Sequence, residues 1–501
     1  MENEPKRLLL GTRALEIAKS TTDFLIRFSI VNKISFTPTQ LMSIQTTNPA
    51  TNKVVKSFEE MTDKTIDSAI AQASTTFETW KKTTYKQRAD VLHKVAKLMR
   101  EKKDTLAKMI TLEMGKPIAQ AVGEIVLSAD IFDYYAKNAE VFLADKPLNP
   151  ELGEAFIRHS PIGVLFGVEP WNFPFYQVAR FAAPNIMIGN TILVKHASIV
   201  PQCGIAIEDL FKEANAPAGL YTNLLMSGKR ASTLVSDERI KGVSLTGSEA
   251  AGASLAAEAG KYLKKSVLEL GGSDAFIILE DADIDKTVDW AVIGRINNNG
   301  ECCVASKRFI AVEAVADEFL EKFTAKMSKL KVGDPMDSST DLGPLSSQEA
   351  IEHIIDQLKR ATEAGAKVLI GGKQVDSPGN FMQPTILTNI DKKNPAYHEE
   401  LFGPVASFYR VKDEQAAIEL ANDSPFGLGG SIFTQDIERG KRVADQIDSG
   451  MVFINHPTWT QADLPFGGTK GSGYGRELSE LGINEFVNKK LIRVSGLSDP
   501  L

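Results

Sequence analysis

Apolar residues recur at steps of three and four in two stretches of the first quarter of the chain. Ile66, Ala69, Ile70, Ala73, Phe77 and Trp80 form one stripe, preceded by the capping signal Thr62-Asp63. Val91, Leu92, Val95, Leu98 and Met99 form another, continuing to Met109-Ile110. It ends at Gly115-Lys116-Pro117, where glycine closes a helix and proline keeps it from resuming. Both stripes predict amphipathic helices. The segment from about Phe142 to Ser160 is turn-rich with a short extended end and predicts a projecting hairpin.

The pattern then changes to short buried runs alternating with helices. Val164–Val168 predicts a strand, followed by a helix from about Pro174 to Ile188 that ends at Gly189-Asn190. Ile192–Val194 is the next strand, with a helix near Gly204–Glu213 after it. Leu224-Leu225-Met226 predicts a third strand before a short helix from about Arg230, and Val243–Leu245 leads through a glycine turn into a helix over Ser248–Leu263. Val267–Leu270 closes this region. A second alternating region, about Phe309 to Val452, carries strands Phe309–Val312 and Lys367–Ile370 and helices Glu318–Lys329 and Ser347–Ala364. Apolar strands joined by helices predict a parallel α/β sheet, whose ligands sit at the carboxyl ends of the strands.

Composition narrows the classes. A length of 501 residues suggests three domains. With 64 acidic against 57 basic residues, the net charge of −7 argues against a nucleic-acid partner. There is no run of 18 apolar residues, so no membrane span is expected. The three cysteines, Cys203, Cys302 and Cys303, exclude a disulfide scaffold and favour a reducing, cytoplasmic compartment. The histidines (His93, His159, His196, His353, His398, His456) lack metal-ligand spacing, so no metal is expected. Residues 1–41 mix bases and acids with short, broken apolar runs and read as an extension ahead of the fold, with Met42 as its functional beginning; a partner-binding arm or a transit segment is the alternative.

Four turns carry candidate chemistry. In Asn298-Asn299-Gly300-Glu301-Cys302-Cys303, a glycine before paired cysteines permits a turn that aims the Cys303 sulfur and backbone N–H into one pocket; buried apolar packing is the other fate of such a pair. In Leu268-Glu269-Leu270-Gly271-Gly272, a carboxylate among apolar residues has its pKa raised towards the range of a general base, unless it is an exposed strand-end Glu. Pro170-Trp171-Asn172-Phe173-Pro174 holds an amide suited to an oxyanion, or to capping a helix. Ser244-Leu245-Thr246-Gly247-Ser248 runs from strand through glycine turn to helix start, a phosphate-binding arrangement without the full dinucleotide fingerprint. A Cys–His hydrolase is a competing reading of Cys303.

Taken in order, PWNFP, Lys195, LTGS, LELGG, the N-x-G-x-x-C array, Glu400-Leu401-Phe402-Gly403-Pro404 and Pro465-Phe466-Gly467-Gly468 resemble the aldehyde dehydrogenase superfamily from about Thr47 to Val494, and most of all its bacterial succinate-semialdehyde dehydrogenases. The resemblance implies an α/β fold with a Rossmann-type cofactor domain (42–141 and 160–269), an α/β catalytic domain (270–455) and a small β oligomerisation domain (142–159 and 478–501). In that domain the hairpin and the strand near Lys489–Val494 would form an intersubunit sheet of a homodimer or homotetramer. It implies Cys303 as nucleophile, Asn172 with the Cys303 N–H as oxyanion donors, and Glu269 as the base that activates water. Trp171, Asn172, Lys195, Ser198, Gly247, Ser248, Leu270, Glu400 and Phe402 would hold the cofactor.

Departures from the family pattern add three expectations. Glu301 stands where Gln is usual and would raise the Cys303 pKa if it points inward, while Cys302 would allow a vicinal disulfide. Ser198 replaces a Glu often found in NAD-preferring relatives, removing repulsion of a 2′-phosphate, so NADP is the expected cofactor, with NAD possible. A carboxylate-bearing aldehyde needs a cation, and Arg180 matches the position for it, with Thr460 and Gln461 as polar wall residues. A further Arg expected six residues before the nucleophile is Asn297 here, and Arg295 would point elsewhere. The expected reaction is oxidation of succinate semialdehyde; another aldehyde, a CoA-acylating reaction, a thiol esterase and a non-catalytic protein are the competing readings.

Overall fold

The computed structural model describes residues 44–151 and 153–498. The expected extension at 1–41 lies outside them. A hairpin, β1 (Ile44–Asn48) and β2 (Lys53–Phe58), precedes α1 (Asp63–Trp80), which starts where the Thr62 hydroxyl accepts from the Thr65 N–H at 3.2 Å. The second stripe is two helices, α2 (Tyr85–Glu101) and α3 (Lys103–Met114), separated at Lys102. Gly115, at φ 82°, closes α3 as expected. Pro117 does not stop the chain: it caps α4 (Ile118–Phe142), because the first turn of a helix has no use for the N–H that proline lacks.

Next come β3 (Lys146–Leu148), β4 (Glu154–Pro161), β5 (Val164–Glu169), α5 (Tyr176–Ile188), β6 (Thr191–His196), α6 (Pro201–Glu213), β7 (Tyr221–Asn223), α7 (Gly228–Leu234), β8 (Ile240–Thr246), α8 (Glu249–Lys261) and β9 (Lys265–Glu269). The third predicted strand is displaced. Tyr221–Asn223 pairs with Ile192–Val194, and Leu224-Leu225-Met226 follows as coil, with Leu224 and Met226 buried and Leu224 N–H making a last bond to the Val194 carbonyl at 2.7 Å. Buried apolar runs do not report their own hydrogen bonding.

The second half contains β10 (Asp274–Ile278), α9 (Ile284–Ile296), β11 (Ser306–Val312), α10 (Glu313–Met327), α11 (Gln348–Glu363), β12 (Lys367–Ile370), β13 (Thr385–Thr388), β14 (Val405–Val411), α12 (Glu414–Asn422), β15 (Phe426–Gly427), β16 (Gly430–Phe433), α13 (Ile437–Ala444), β17 (Phe453–Ile454), β18 (Thr469–Lys470), β19 (Gly473–Tyr474), α14 (Ser479–Ile483) and β20 (Val487–Val494). One sheet has the order β19-β9-β8-β5-β6-β7, parallel from β9 to β7, and another the order β12-β13-β14-β11-β10-β16-β17, parallel except for β12. These are the expected α/β sheets, with helices burying Leu, Ile, Val and Phe on them. The hairpin strands and β20 form a three-stranded antiparallel sheet, order β20-β4-β3. That pairing lies within one chain, Val487 opposite Pro161 through Val494 opposite Glu154.

Candidate active site

The nucleophile turn follows α9. Asn298, Asn299 and Gly300 are successive left-handed residues, at φ 53°, 58° and 80°. Asparagine tolerates this region because its short amide bonds locally. Gly300 is required, since a Cβ there would lie 2.4 Å from the Gly403 backbone. Asn298 Nδ2 donates to the carbonyls of Asn172 and Glu301, both at 2.9 Å, tying this turn to the end of β5. Buried Arg295 donates to the Gly300 and Ser306 carbonyls at 2.7 and 3.2 Å, so it props the turn and does not face substrate. Lys307 Nζ donates to the carbonyls of Cys302 and Cys303 at 2.9 and 2.8 Å and pairs with Glu400 at 2.9 Å.

All three cysteines are free thiols; Cys302 is buried and Cys303 half-buried. The neighbouring Cys302 sulfur and burial hold the Cys303 thiol well above its ordinary range, against the opposing pull of Arg180 and Lys307. Glu301 does not contribute. It turns away, Oε1 accepting from the Ser346 N–H and hydroxyl at 3.1 and 2.9 Å, and burial pushes its pKa up to about 8. The expectation that it raises the Cys303 pKa therefore fails, because its carboxylate faces α11 and not the sulfur. Replacing Cys302 with alanine removes a partner that stabilises the neutral Cys303 thiol. The pH midpoint for alkylation of Cys303 by iodoacetamide is expected to fall by about one unit. An unchanged midpoint would show that the sulfurs do not interact.

Two cavities meet at Cys303. One, of about 230 Å³, is lined by Trp171, Asn172, Gly247, Ser248, Leu270, Glu400 and Phe402 together with Cys303. The N-terminus of α8, capped by the Ser248 hydroxyl accepting from Ala251 N–H at 3.4 Å, opens on it. The other, of about 280 Å³, runs past Phe173, Tyr176, Trp459, Thr460 and Phe466 to the same cysteine. Asn172 Oδ1 accepts from Gln177 Nε2 at 3.0 Å and Nδ2 donates to the Glu301 carbonyl at 3.1 Å, which orients the amide and leaves its second N–H for a ligand.

The aldehyde dehydrogenase family profile matches residues 36–492. The chain belongs to the aldehyde dehydrogenase family. It is 48% identical over 448 residues to the succinate-semialdehyde dehydrogenase [NADP(+)] of Deinococcus radiodurans, covering 89% of this chain and 94% of that one. A probable succinate-semialdehyde dehydrogenase [NADP(+)] of Synechocystis is 45% identical over 454 residues, 91% of this chain and 100% of that one. Among solved structures, the Streptococcus pyogenes succinic semialdehyde dehydrogenase in complex with NADP+ superimposes with a TM-score of 0.89 at 46% identity, covering 90% of this chain and all of that one.

Other expected residues of this dehydrogenase lie off the cavity walls. Glu269 ends β9 with a buried carboxylate that faces Arg180 and Glu477, and burial raises its pKa well above the usual carboxylate range. Arg180 is 1% exposed; its Nε pairs with Glu477, Nη2 donates to Thr246 Oγ1 at 3.1 Å, and Nη1 donates to the Tyr176 hydroxyl at 3.2 Å. The expected contact between Arg180 and substrate is thus replaced here by a buried carboxylate, with Tyr176 between the guanidinium and the cavity. The Tyr176 hydroxyl and Thr460 Oγ1 are 2.8 Å apart on the wall, whereas Gln461 is exposed outside it. Lys195 is buried beside the charge of Glu60 at the end of β6, and Ser198 lies half-buried just beyond, both outside the cofactor-side cavity. Sequence reasoning missed Lys307, Gln177 and Tyr176. A Lys-Arg pair directly ahead of the apolar run Phe309–Val312 was the signal available for Lys307.

Proposed function

We propose that the protein oxidises succinate semialdehyde to succinate with NADP, through a thioester on Cys303 that water hydrolyses. The position of the Cys303 thiol, where a glycine-lined cavity meets an aromatic one, carries this reading. The first cavity suits a dinucleotide. Gly247 leaves the approach to the α8 N-terminus open, which suits a pyrophosphate, and the Glu400 carboxylate, anchored by Gly272 N–H at 3.1 Å and by Lys307, suits ribose hydroxyls. Trp171 and Phe402, edge to face at 5.9 Å, give an apolar wall. When bound, the cofactor accepts a hydride.

The chain's own groups do the rest. The Cys303 thiolate attacks the aldehyde carbon, and the free N–H of Asn172 with the Cys303 N–H receives the developing oxyanion. After hydride loss the acyl group stays on sulfur. Glu269, turning from its buried partners towards the thioester, takes a proton from water; the hydroxide adds to the carbonyl, and the C–S bond breaks to release acid and thiolate. The substrate carboxylate would meet the Tyr176 and Thr460 hydroxyls, with Arg180 behind them. The names of the relatives support this substrate. Reduced-cofactor formation with succinate semialdehyde, with NADP or NAD and with or without CoA, tests the reading. NADP reduction independent of CoA is expected; a CoA requirement, or no reduction, overturns it.

Ser198, two residues beyond β6, and Lys195, near its end, are the groups proposed to accept the 2′-phosphate. Ser198→Glu is expected to shift the ratio of kcat/KM for NADP over NAD towards NAD by about tenfold or more, since a carboxylate repels the phosphate and accepts from a 2′-OH. An unshifted ratio would exclude this position. The same reading takes the protein as a cytoplasmic homodimer or homotetramer; exposed Leu148 and Leu491, on one face of the β20-β4-β3 sheet, offer apolar contacts to a second copy. The domain division is proposed with it: cofactor domain on the six-stranded sheet, catalytic domain on the seven-stranded one.

A further inference from the structure

Behind the cavities lies a polar group that the mechanism above leaves unused. β5, β8 and β9 are adjacent strands. Thr246 pairs with Glu269 across β8 and β9, and the pairing of Val168 with Leu245 brings Glu169, the next residue of β5, into the same row. Aligned residues of neighbouring parallel strands point to one face, with strands about 4.8 Å apart. Glu169, Thr246 and Glu269 therefore stand side by side at the carboxyl ends of three strands, with the hydroxyl in the middle. Glu169 and Glu269 are each 2% exposed, and none of their four carboxylate oxygens has a hydrogen-bond partner among the described residues.

Charge within this group does not balance. Arg180, from α5, is paired with Glu477. The groups facing Glu169 are Glu477, Arg180, Thr246 and Glu269, with the Tyr221 phenol on β7 and His196 beside it on β6. Those facing Glu269 are Arg180, Glu477, Arg476 and Glu485. Arg180 is matched to Glu477 and Lys265 to Glu485, so Arg476, beside Glu269, is the one further cation for the two carboxylates Glu169 and Glu269, and a proton must remain on one of them. Thr246 already accepts from Arg180 Nη2, and its single O–H proton can serve one carboxylate at a time.

We propose that Glu169 and Glu269 share one proton across Thr246, making Glu169 a positioning residue that leaves Glu269 ionised for catalysis by holding the proton itself. The inference rests on the proposed role of Glu269 in hydrolysing the thioester. Burial raises the pKa of both carboxyls, as such sharing requires. On titration the fully protonated pair loses its two protons in separate steps, the shared state lying between them, because the charge left by the first opposes loss of the second.

The test uses rapid mixing of the full-length enzyme with NADP and succinate semialdehyde, following the first-turnover burst of reduced cofactor and then the slower hydrolytic phase across pH. The wild-type hydrolytic rate is expected to rise over a broad, two-step limb. In Glu169→Gln, which cannot ionise, Glu269 titrates alone, so the limb becomes single and its midpoint falls by about one pH unit. A rate lowered equally at every pH with an unmoved midpoint would mean a purely structural role and overturn the inference. Infrared difference spectra give a second readout: the wild type near neutral pH should show a buried carboxylic-acid carbonyl band that Glu169→Gln lacks. Glu169→Met gives the same prediction if the Gln variant does not fold. A wild type that reduced no NADP with succinate semialdehyde would instead refute the proposed function, so the two failures are distinct.

Discussion

Cys303→Ala is expected to lower aldehyde-dependent cofactor reduction by a factor on the order of 10⁴ or more, while the protein still folds. The loss is large because without the sulfur no acyl intermediate can form, and no neighbour can replace it. Cys302 is 3% exposed and packs in the core; it borders the aromatic cavity but not the cofactor-side one, so its sulfur is not at the junction where aldehyde and cofactor would meet. Folding should survive because Cys303 stands at a cavity junction and the turn is held by Asn298, Asn299, Arg295 and Lys307. Steady-state reduction of NADP, with thermal unfolding of both proteins, measures both quantities. Retention of a tenth of the wild-type rate would overturn the thioester mechanism.

Glu269→Gln separates the two halves of the reaction. Hydride transfer precedes the step that needs the base, so the burst of reduced cofactor should persist at an amplitude of one per site. Turnover after it should fall by about 10²–10⁴-fold, the usual cost of losing a general base. The base acts only when ionised, and burial raises the Glu269 pKa well above the usual carboxylate range. Wild-type turnover should therefore rise as pH increases through that raised value, and the limb should vanish in the Gln variant. A variant that loses the burst and turnover together would assign Glu269 to the first step instead.

How much of this was legible beforehand depended on the range of the interaction involved. The Thr62 and Ser347 caps and the Gly115 and Gly189 stops act within a helical turn, and each shows in a few adjacent residues. Asn172, Gly247, Ser248, Glu400 and Phe402 sit in short motifs at strand ends, and they line one cavity with Cys303. Pro117 was misread because its meaning depends on which side of it the helix lies. Arg180 was matched to a substrate carboxylate, but Glu477, which claims it, comes from a loop far along the chain. Glu301 looked like a neighbour of the nucleophile because it is close in sequence. A run of left-handed residues turned its side chain to Ser346.

The sequence by itself determined the parallel α/β class, the order of most strands and helices, the family, and the residue types at the nucleophile, amide and carboxylate positions. All of these follow from local propensity, periodicity and motif spacing. Only the tertiary structure decided which charges neutralise one another. Arg180 joined Glu477, Lys307 joined Glu400, and Glu169 and Glu269 were left in one row with only Arg476, beside Glu269, not already matched to another carboxylate. The reason is physical. Burial makes a charge costly unless a partner is within a few ångströms, and that distance is set by how strands and helices pack, not by separation along the chain.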